Sequence, residues 1–253
     1  GRVVALHVHH GLQAAADGFE AHARNVCARH GIELQVSHVQ AAHRPGESPE
    51  AAARDKRYVA LARMAQQEGA RFVLLGQHAD DQAETLLLTL SRGAGLPGLA
   101  SMAERFERHS VVFGRPLLGV DAASLRAWLK AASHPFVDDP TNTDVRYTRN
   151  RIRAVLMPAW DACFPGFRSQ LARSARHAAE AQILLDDLAC LDLARTGQPP
   201  AIVALQALSR ERQANALRHW LRHSHDVVAS AAQLNELLDQ VANCRTRAHR
   251  IHL

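Results

Sequence analysis

The chain has 253 residues, 47% of them apolar and 22% charged, enough to build one or two globular domains with real cores. No apolar run approaches the ~18 residues a membrane span requires, and Gly1–Leu6 turns polar too soon for a signal peptide, so no membrane partner is expected. Net charge is +5 with a pI near 9.5, carried almost wholly by arginine, since Lys56 and Lys130 are the only lysines, and this directs attention to anionic partners.

In chain order, Val3–His9 alternates as a strand and stops at His10-Gly11. Asp17 to His30 places Phe19, Ala23, Val26 and Cys27 at helical spacing, with Gly31 positioned as a C-cap. Ile32–Val36 alternates again. Ser48-Pro49-Glu50 combines an N-cap serine, a first-turn proline and an acid, which predicts a helix running to about Glu68 and ending at Gly69. Phe72–Leu75 is the next strand, and a helix begins near Asp80 and ends before Gly93. This β-α-β-α-β-α order predicts an α/β fold with a parallel sheet. Val111–Phe113 adds a further strand, and Asp121 caps a helix to about Ala132 that His134-Pro135 breaks. After Phe164-Pro165-Gly166 the texture becomes Ala/Leu/Arg-rich, without strands and interrupted at Gly197–Pro200. Two domains are therefore expected, an α/β domain over residues 1–160 and a helical one over 165–253.

Four cysteines, Cys27, Cys163, Cys190 and Cys244, lie far apart with no Cys-x-x-Cys pair. This spacing argues against zinc ribbons, iron–sulfur ligation and a disulfide scaffold, and fits a cytoplasmic protein.

The densest chemistry is Gly76-Gln77-His78-Ala79-Asp80-Asp81-Gln82-Ala83-Glu84-Thr85, between a strand and a helix. In open α/β sheets ligands bind at the carboxyl ends of the strands. With Asp80 near the N-cap, Asp81 and Glu84 stand three apart on one helix face, able to hold Mg²⁺ or a substrate ammonium, or simply to cap the helix. His78 is placed either to donate to a phosphate or to pack the turn. A second cluster joins a turn at Asp138-Asp139-Pro140-Thr141-Asn142 to a helix start presenting Arg149 and Arg153, four apart. From Arg146 to Arg176 seven arginines face the single acid Asp161, a pattern of either a nucleic-acid footprint or a solvated basic face. His7, His9 and His10 have no acid or cysteine near them in sequence, which argues against a zinc site. His219, His223 and His225 with Trp220 read as a helix surface turning into a loop.

Together these residues resemble the tRNA(Ile)-lysidine synthetase family of PP-loop ATPases. The likeness rests on His9-His10-Gly11-Leu12, Glu50 through Tyr58, Gly76 through Thr85, Arg92-Gly93-Ala94-Gly95, Arg115-Pro116-Leu117-Leu118, and Asp139-Pro140-Thr141-Asn142 through Arg153, in the family's order. It covers residues from about 3 to 160, and Leu171-Ala172-Arg173 extends it weakly.

The resemblance implies an adenine nucleotide α-hydrolase-like domain followed by a helical tRNA- or substrate-binding domain. It implies a ligase that adenylates the wobble cytidine of a minor isoleucine tRNA with a CAU anticodon, then lets free L-lysine displace AMP. ATP and Mg²⁺ are the implied cofactors. Asp81, Glu84, Arg149 and Arg153 match the catalytic region. Arg54, Arg57, His78 and Gly76 match the nucleotide side, and Asp80 with Asp81 a metal position. The family's Ser-Gly-Gly-x-Asp-Ser phosphate loop has no counterpart among these residues, which open at the family's second strand, so the α/β domain is expected to be N-terminally incomplete. An uncovered sheet is expected to expose apolar surface and to favour dimerisation. The alternative readings are a non-catalytic RNA-binding fragment without the phosphate loop, or another PP-loop tRNA-modifying enzyme such as a thiolase.

Overall fold

A computed structural model of the chain describes residues 1–9, 16–39 and 49–245. The elements in order are β1 (Val4–His9), α1 (Ala16–His30), β2 (Glu33–His38), α2 (Pro49–Gln67), β3 (Phe72–Leu74), α3 (Ala79–Leu90), α4 (Leu96–Leu99), β4 (Arg105–Arg108), β5 (Val111–Gly114) and α5 (Ala122–Ala131). After a 3₁₀ turn at Pro140–Thr143 come α6 (Thr148–Arg151), a π-helical turn at Ile152–Leu156, α7 (Met157–Cys163), α8 (Phe167–Thr196), α9 (Ile202–Gln206), α10 (Arg210–His225) and α11 (Ala231–Asn243). The serine cap at Ser48 and the stretch His10-Gly11-Leu12 lie outside the described residues. Among the described residues no helix is long and apolar enough to cross a membrane.

The parallel pairing expected from the alternation is present, but among the described residues it is divided between two sheets, β1-β2 and β3-β5-β4, rather than one. β1 and β2 pair in parallel from Val4↔Glu33 to His9↔His38, and β3 pairs in parallel with β5 from Phe72↔Val112 to Leu74↔Gly114. Gly31 and Gly69 close α1 and α2 at φ +63 and +61, the left-handed conformation that glycine adopts without penalty. One strand escaped the sequence reading. β4 runs antiparallel to β5 through a turn at His109 and Ser110, whose φ values of 51 and 58 are those of a type I′ hairpin. Neither residue belongs to the Asn-Gly or Asp-Gly pairs that announce such turns.

The helix α2 packs Tyr58, Leu61, Met64 and Ala65 against Val73, Val111 and Phe113, and Leu6 and Val8 of β1 join the same cluster. Tyr58 meets Phe106 and Phe113 edge-on at 5.8 and 5.2 Å, and these two rings stack at 5.3 Å. Because Phe113 is fully buried at this junction, Phe113→Ala is expected to cost about 3–5 kcal/mol in a urea titration. On β3, Phe72 and Leu74 are 55% and 70% exposed.

The chain divides into two compact units, residues 1–94 with 101–175, and residues 95–100 with 176–253. In the second, Leu193, Leu205, Leu217, Leu221, Leu234 and Val241 form a helix-on-helix core. Its helices are well capped: the Ser209 side chain accepts from the Arg212 N–H, and Ser230 and Gln233 form a reciprocal capping box. The buried carboxylate of Asp192 is held by Arg212.

Candidate active site

The site is built around the N-terminus of α3. Leu75 extends the β3 ladder by donating its N–H to the Gly114 carbonyl at 2.8 Å. The turn that follows is pinned to the chain after β5 by a bridge between His78 and Leu117 and by Ala79 N–H to the Val120 carbonyl at 2.9 Å. Arg115, only 6% exposed, anchors the same turn. Its Nε donates to Gln77 Oε1 at 2.6 Å, Nη1 to the Ala103 carbonyl at 2.7 Å and Nη2 to the Tyr58 hydroxyl at 3.3 Å, while its guanidinium lies 4.2 Å from the Phe106 ring centre. Sequence reading matched Arg115 to a motif but assigned it no work; the structure makes it the pin of the acidic turn.

The three acids of the turn have different occupations. Asp80 is saturated by structure: Oδ2 accepts the Ala122 N–H at 2.7 Å and Oδ1 accepts Arg168 Nε at 2.6 Å. Asp81 spends only Oδ2 on the fold, accepting the His78 N–H at 3.1 Å, and its Oδ1 stands 3.9 Å from Arg153 Nη2, beyond hydrogen-bonding distance. Glu84 is 1% exposed and bonded bidentately by Arg153, Nε at 2.7 Å and Nη2 at 3.1 Å. Burial raises the Glu84 pKa above its ordinary value, and the opposing Arg153 does not fully offset it.

The second cluster comes to the first. Asp139 caps its turn by accepting Thr141 N–H at 2.8 Å, and Asn150 Nδ2 donates to the Thr141 and Asp144 carbonyls at 2.7 and 2.9 Å. This seats α6 on the turn, and Arg149 Nη1 reaches Thr85 Oγ1 at 3.3 Å. The π-helical turn then carries Arg153 to Glu84, with Arg153 Nη1 also donating to Asn142 Oδ1 at 3.2 Å. Single π turns recur at functional sites because the extra residue re-aims one side chain. Ala83, Leu87, Ile152, Met157 and Phe167 form the apolar layer beneath. Residues some 69 positions apart, Glu84 and Arg153, thus share one ion pair.

The remaining sequence candidates are placed as follows. His78 is the N-cap residue of α3, and its Nδ1 is buried without a hydrogen-bond partner, 3.8 Å from Asp80 Oδ2. Gly76 sits in the exposed turn, with no atom within 4 Å of where a Cβ would stand, so its backbone is open to close approach. Arg54 and Arg57 lie exposed on α2. Burial raises the pKa of the adjacent Tyr58 phenol, yet hydrogen bonding and charge from Arg115 and Arg54 outweigh it and leave it lowered.

The arginine run is not the uniform face its sequence suggested. Arg168, expected to meet RNA phosphates, is instead tied to Asp80 and, at 3.2 Å, to Asp161, because α8 starts beside α3 and brings the guanidinium onto the two carboxylates. Arg146 is engaged by Asp144 at 2.7 Å. Arg151, Arg173 and Arg176 remain exposed.

Comparison with known proteins is decisive here. Residues 2–160 match a PP-loop domain model and residues 201–253 match the TilS substrate binding domain. The tRNA(Ile)-lysidine synthase of Polaromonas naphthalenivorans is 60% identical over the whole chain, which covers 77% of that protein. The chain belongs to the tRNA(Ile)-lysidine synthase family. Members from Bordetella pertussis and Burkholderia pseudomallei are 43% and 46% identical over 98% and 97% of the chain, which spans 80% and 51% of their lengths. The U34-tRNA thiolase NcsA from Methanococcus maripaludis, solved with its [4Fe-4S] cluster, superposes with a TM-score of 0.60 at 16% identity, covering 71% of this chain and 63% of that one. At that identity the likeness is one of fold, and it places the family's α/β unit on the PP-loop architecture.

Proposed function

We infer that this chain carries out the ATP-dependent ligation of L-lysine to the wobble cytidine of tRNA(Ile) with a CAU anticodon, at the N-terminus of α3. The observation that carries the reading is the convergence of Asp81 and Glu84 with Arg149 and Arg153, in a chain whose family is a lysidine synthase. The thiolase alternative has no support in the cysteines, which lie far apart in the sequence and are joined by no disulfide.

In the first step the C2 oxygen of the cytidine attacks the α-phosphate of ATP, pyrophosphate leaves and an adenylated base results. Negative charge grows on the phosphate, and Arg149 and Arg153 are the cations placed to stabilise it. In the second step the lysine amine attacks C2, the C2–O bond to AMP breaks, and the amine loses a proton. The partly exposed carboxylate of Asp81 is suited to hold the ammonium and then to receive that proton, while the buried Glu84 keeps Arg153 in place. The unpartnered Nδ1 of His78 is available as a donor or acceptor toward a ligand at the turn.

Mg²⁺ is a hard cation that takes oxygen ligands. The donor set accommodates it at Asp81 Oδ1, which no hydrogen bond occupies, in the adenylation step and before the lysine ammonium takes that oxygen, rather than at Asp80, whose two oxygens are already taken. Bound there, it would neutralise phosphate charge.

The test is transfer of radiolabelled lysine to a tRNA(Ile) transcript by the full-length gene product. Label in the tRNA only when ATP is present supports the reading, and its absence from that tRNA under all conditions rejects it. RNA contact is assigned to the exposed arginines. Replacing Arg151, Arg173 and Arg176 by alanine is expected to weaken tRNA binding and to reduce the slope of log K against log salt by up to about one unit per arginine replaced. Unchanged affinity and slope in a fluorescence titration would locate the RNA elsewhere.

A further inference from the structure

We propose that His9, Glu20 and His38, none of them part of the acidic turn of α3, form a binding site for a divalent ion of the zinc class. No acid stands beside the histidine run in the order of residues, and the fold supplies one. His9 and His38 are the last residues of β1 and β2 and are paired in the parallel register, so their side chains leave the same face of the sheet. Their rings lie 4.8 Å apart, tilted by 51°. The crossover helix α1 then returns over that face and presents Glu20, whose Oε2 is 3.0 Å from His38 Nε2. One donor atom from each of the three residues lies within 4.8 Å of the other two.

The chemistry of the donor set is specific. Two imidazoles and a carboxylate suit Zn²⁺, Co²⁺ or Ni²⁺ rather than Mg²⁺ or Ca²⁺, which prefer oxygen alone. Ligand bonds of about 2.0–2.2 Å in a tetrahedron bring donor atoms to roughly 3.3–3.5 Å of one another, so the widest gap must shorten by about 1.4 Å. The His38 side chain, 65% exposed, has room to rotate toward His9 and Glu20, whose side chains are held at 11% and 15% exposure. Arg24 bonds the other oxygen of Glu20, Oε1, at 2.6 Å and keeps the carboxylate aimed at the strands. Asp17 Oδ1 lies 3.0 Å from His9 Nε2 and, being 94% exposed, is free to swing in as a fourth ligand or to yield that place to water. A bound ion would fasten α1 to the ends of both strands.

The probe is Co²⁺ alone, added to the metal-free full-length protein, with the intensity of its visible absorption bands reporting tetrahedral coordination and Zn²⁺ displacing it. Stoichiometric binding is expected, together with a rise in Tm on adding Zn²⁺. His38→Ala, at an exposed position that leaves the core untouched, should weaken Co²⁺ binding by more than the ~10–100-fold typical of losing an outer-shell partner, and Glu20→Gln should do likewise. His219→Ala, in the helical unit, should leave it unchanged. Co²⁺ affinity that survives both His38→Ala and Glu20→Gln, or that is lost in His219→Ala instead, would overturn the proposal, as would spectra showing only weak six-coordinate binding.

Discussion

Replacing Arg153 by alanine is expected to destabilise the α/β unit by about 2–3 kcal/mol and to abolish lysine transfer. Removing one partner of a fully buried ion pair costs about 3–5 kcal/mol, because the other charge is left without compensation. The figure is set lower here because the Arg153 side chain keeps 40% exposure, and water can enter beside a Glu84 that is itself only 1% exposed. Arg153→Lys should recover part of the stability but little of the activity, since an ammonium cannot make the two-pronged contact seen with Nε and Nη2. Urea denaturation measures the first effect and the lysine-transfer assay the second. A variant with wild-type stability would mean that Glu84 finds its compensation elsewhere.

The same pair sets a pH dependence whose sign follows from Glu84. Its pKa in the folded protein is raised above the ordinary 4.5, chiefly by burial. A carboxyl shifted upward binds its proton more readily when folded. Its contribution to stability is therefore complete below about pH 4.5 and is lost as pH rises through the raised folded value. Glu84→Gln has no such titration. The stability of the wild type relative to Glu84→Gln should thus decline from pH 4.5 upward and level off above the folded pKa. A difference that stays flat across that range would show that Glu84 is not shifted.

The second large effect is expected at Asp81. Asp81→Asn keeps an oxygen to accept the His78 N–H, so α3 should remain capped and the protein folded. What it removes is the negative charge facing Arg153 and the substrate side of the turn. We expect lysine transfer to fall by about 10²–10⁴-fold, the range associated with losing a positioned acid–base group. Binding of tRNA should change little, because the exposed arginines are untouched. The assay separates the two by measuring the apparent KM for lysine, the transfer rate and the tRNA Kd on the same preparation. Asp80→Asn is the instructive contrast. Its oxygens serve the Ala122 N–H and Arg168, so it should lower stability more than it alters the use of lysine.

Much of this protein was legible without coordinates. The β-α-β alternation over residues 1–90, the capped helix at Asp121 and the strand-free tail are statements about local periodicity and end chemistry, and the chain obeys them. The motifs in register were enough to point to the family; Asp81, Glu84, Arg149 and Arg153 stood out by their clustering, and the resemblance supplied their roles. The division of work among these groups came from tertiary packing. No local pattern says that Asp80 is consumed by Ala122 and Arg168, or that Arg168 faces an acid instead of solvent, since those partners lie 42 and 88 positions away. No local pattern assigns Arg115 to the turn it pins, or brings Glu20 to two histidines on neighbouring strands. Periodicity and capping are set by neighbours within a few residues, so residue order alone indicated most of the helices and strands, β4 with its His109-Ser110 turn excepted. The pairing of charges depends on where the chain returns after tens of residues, and that is settled by the packed fold.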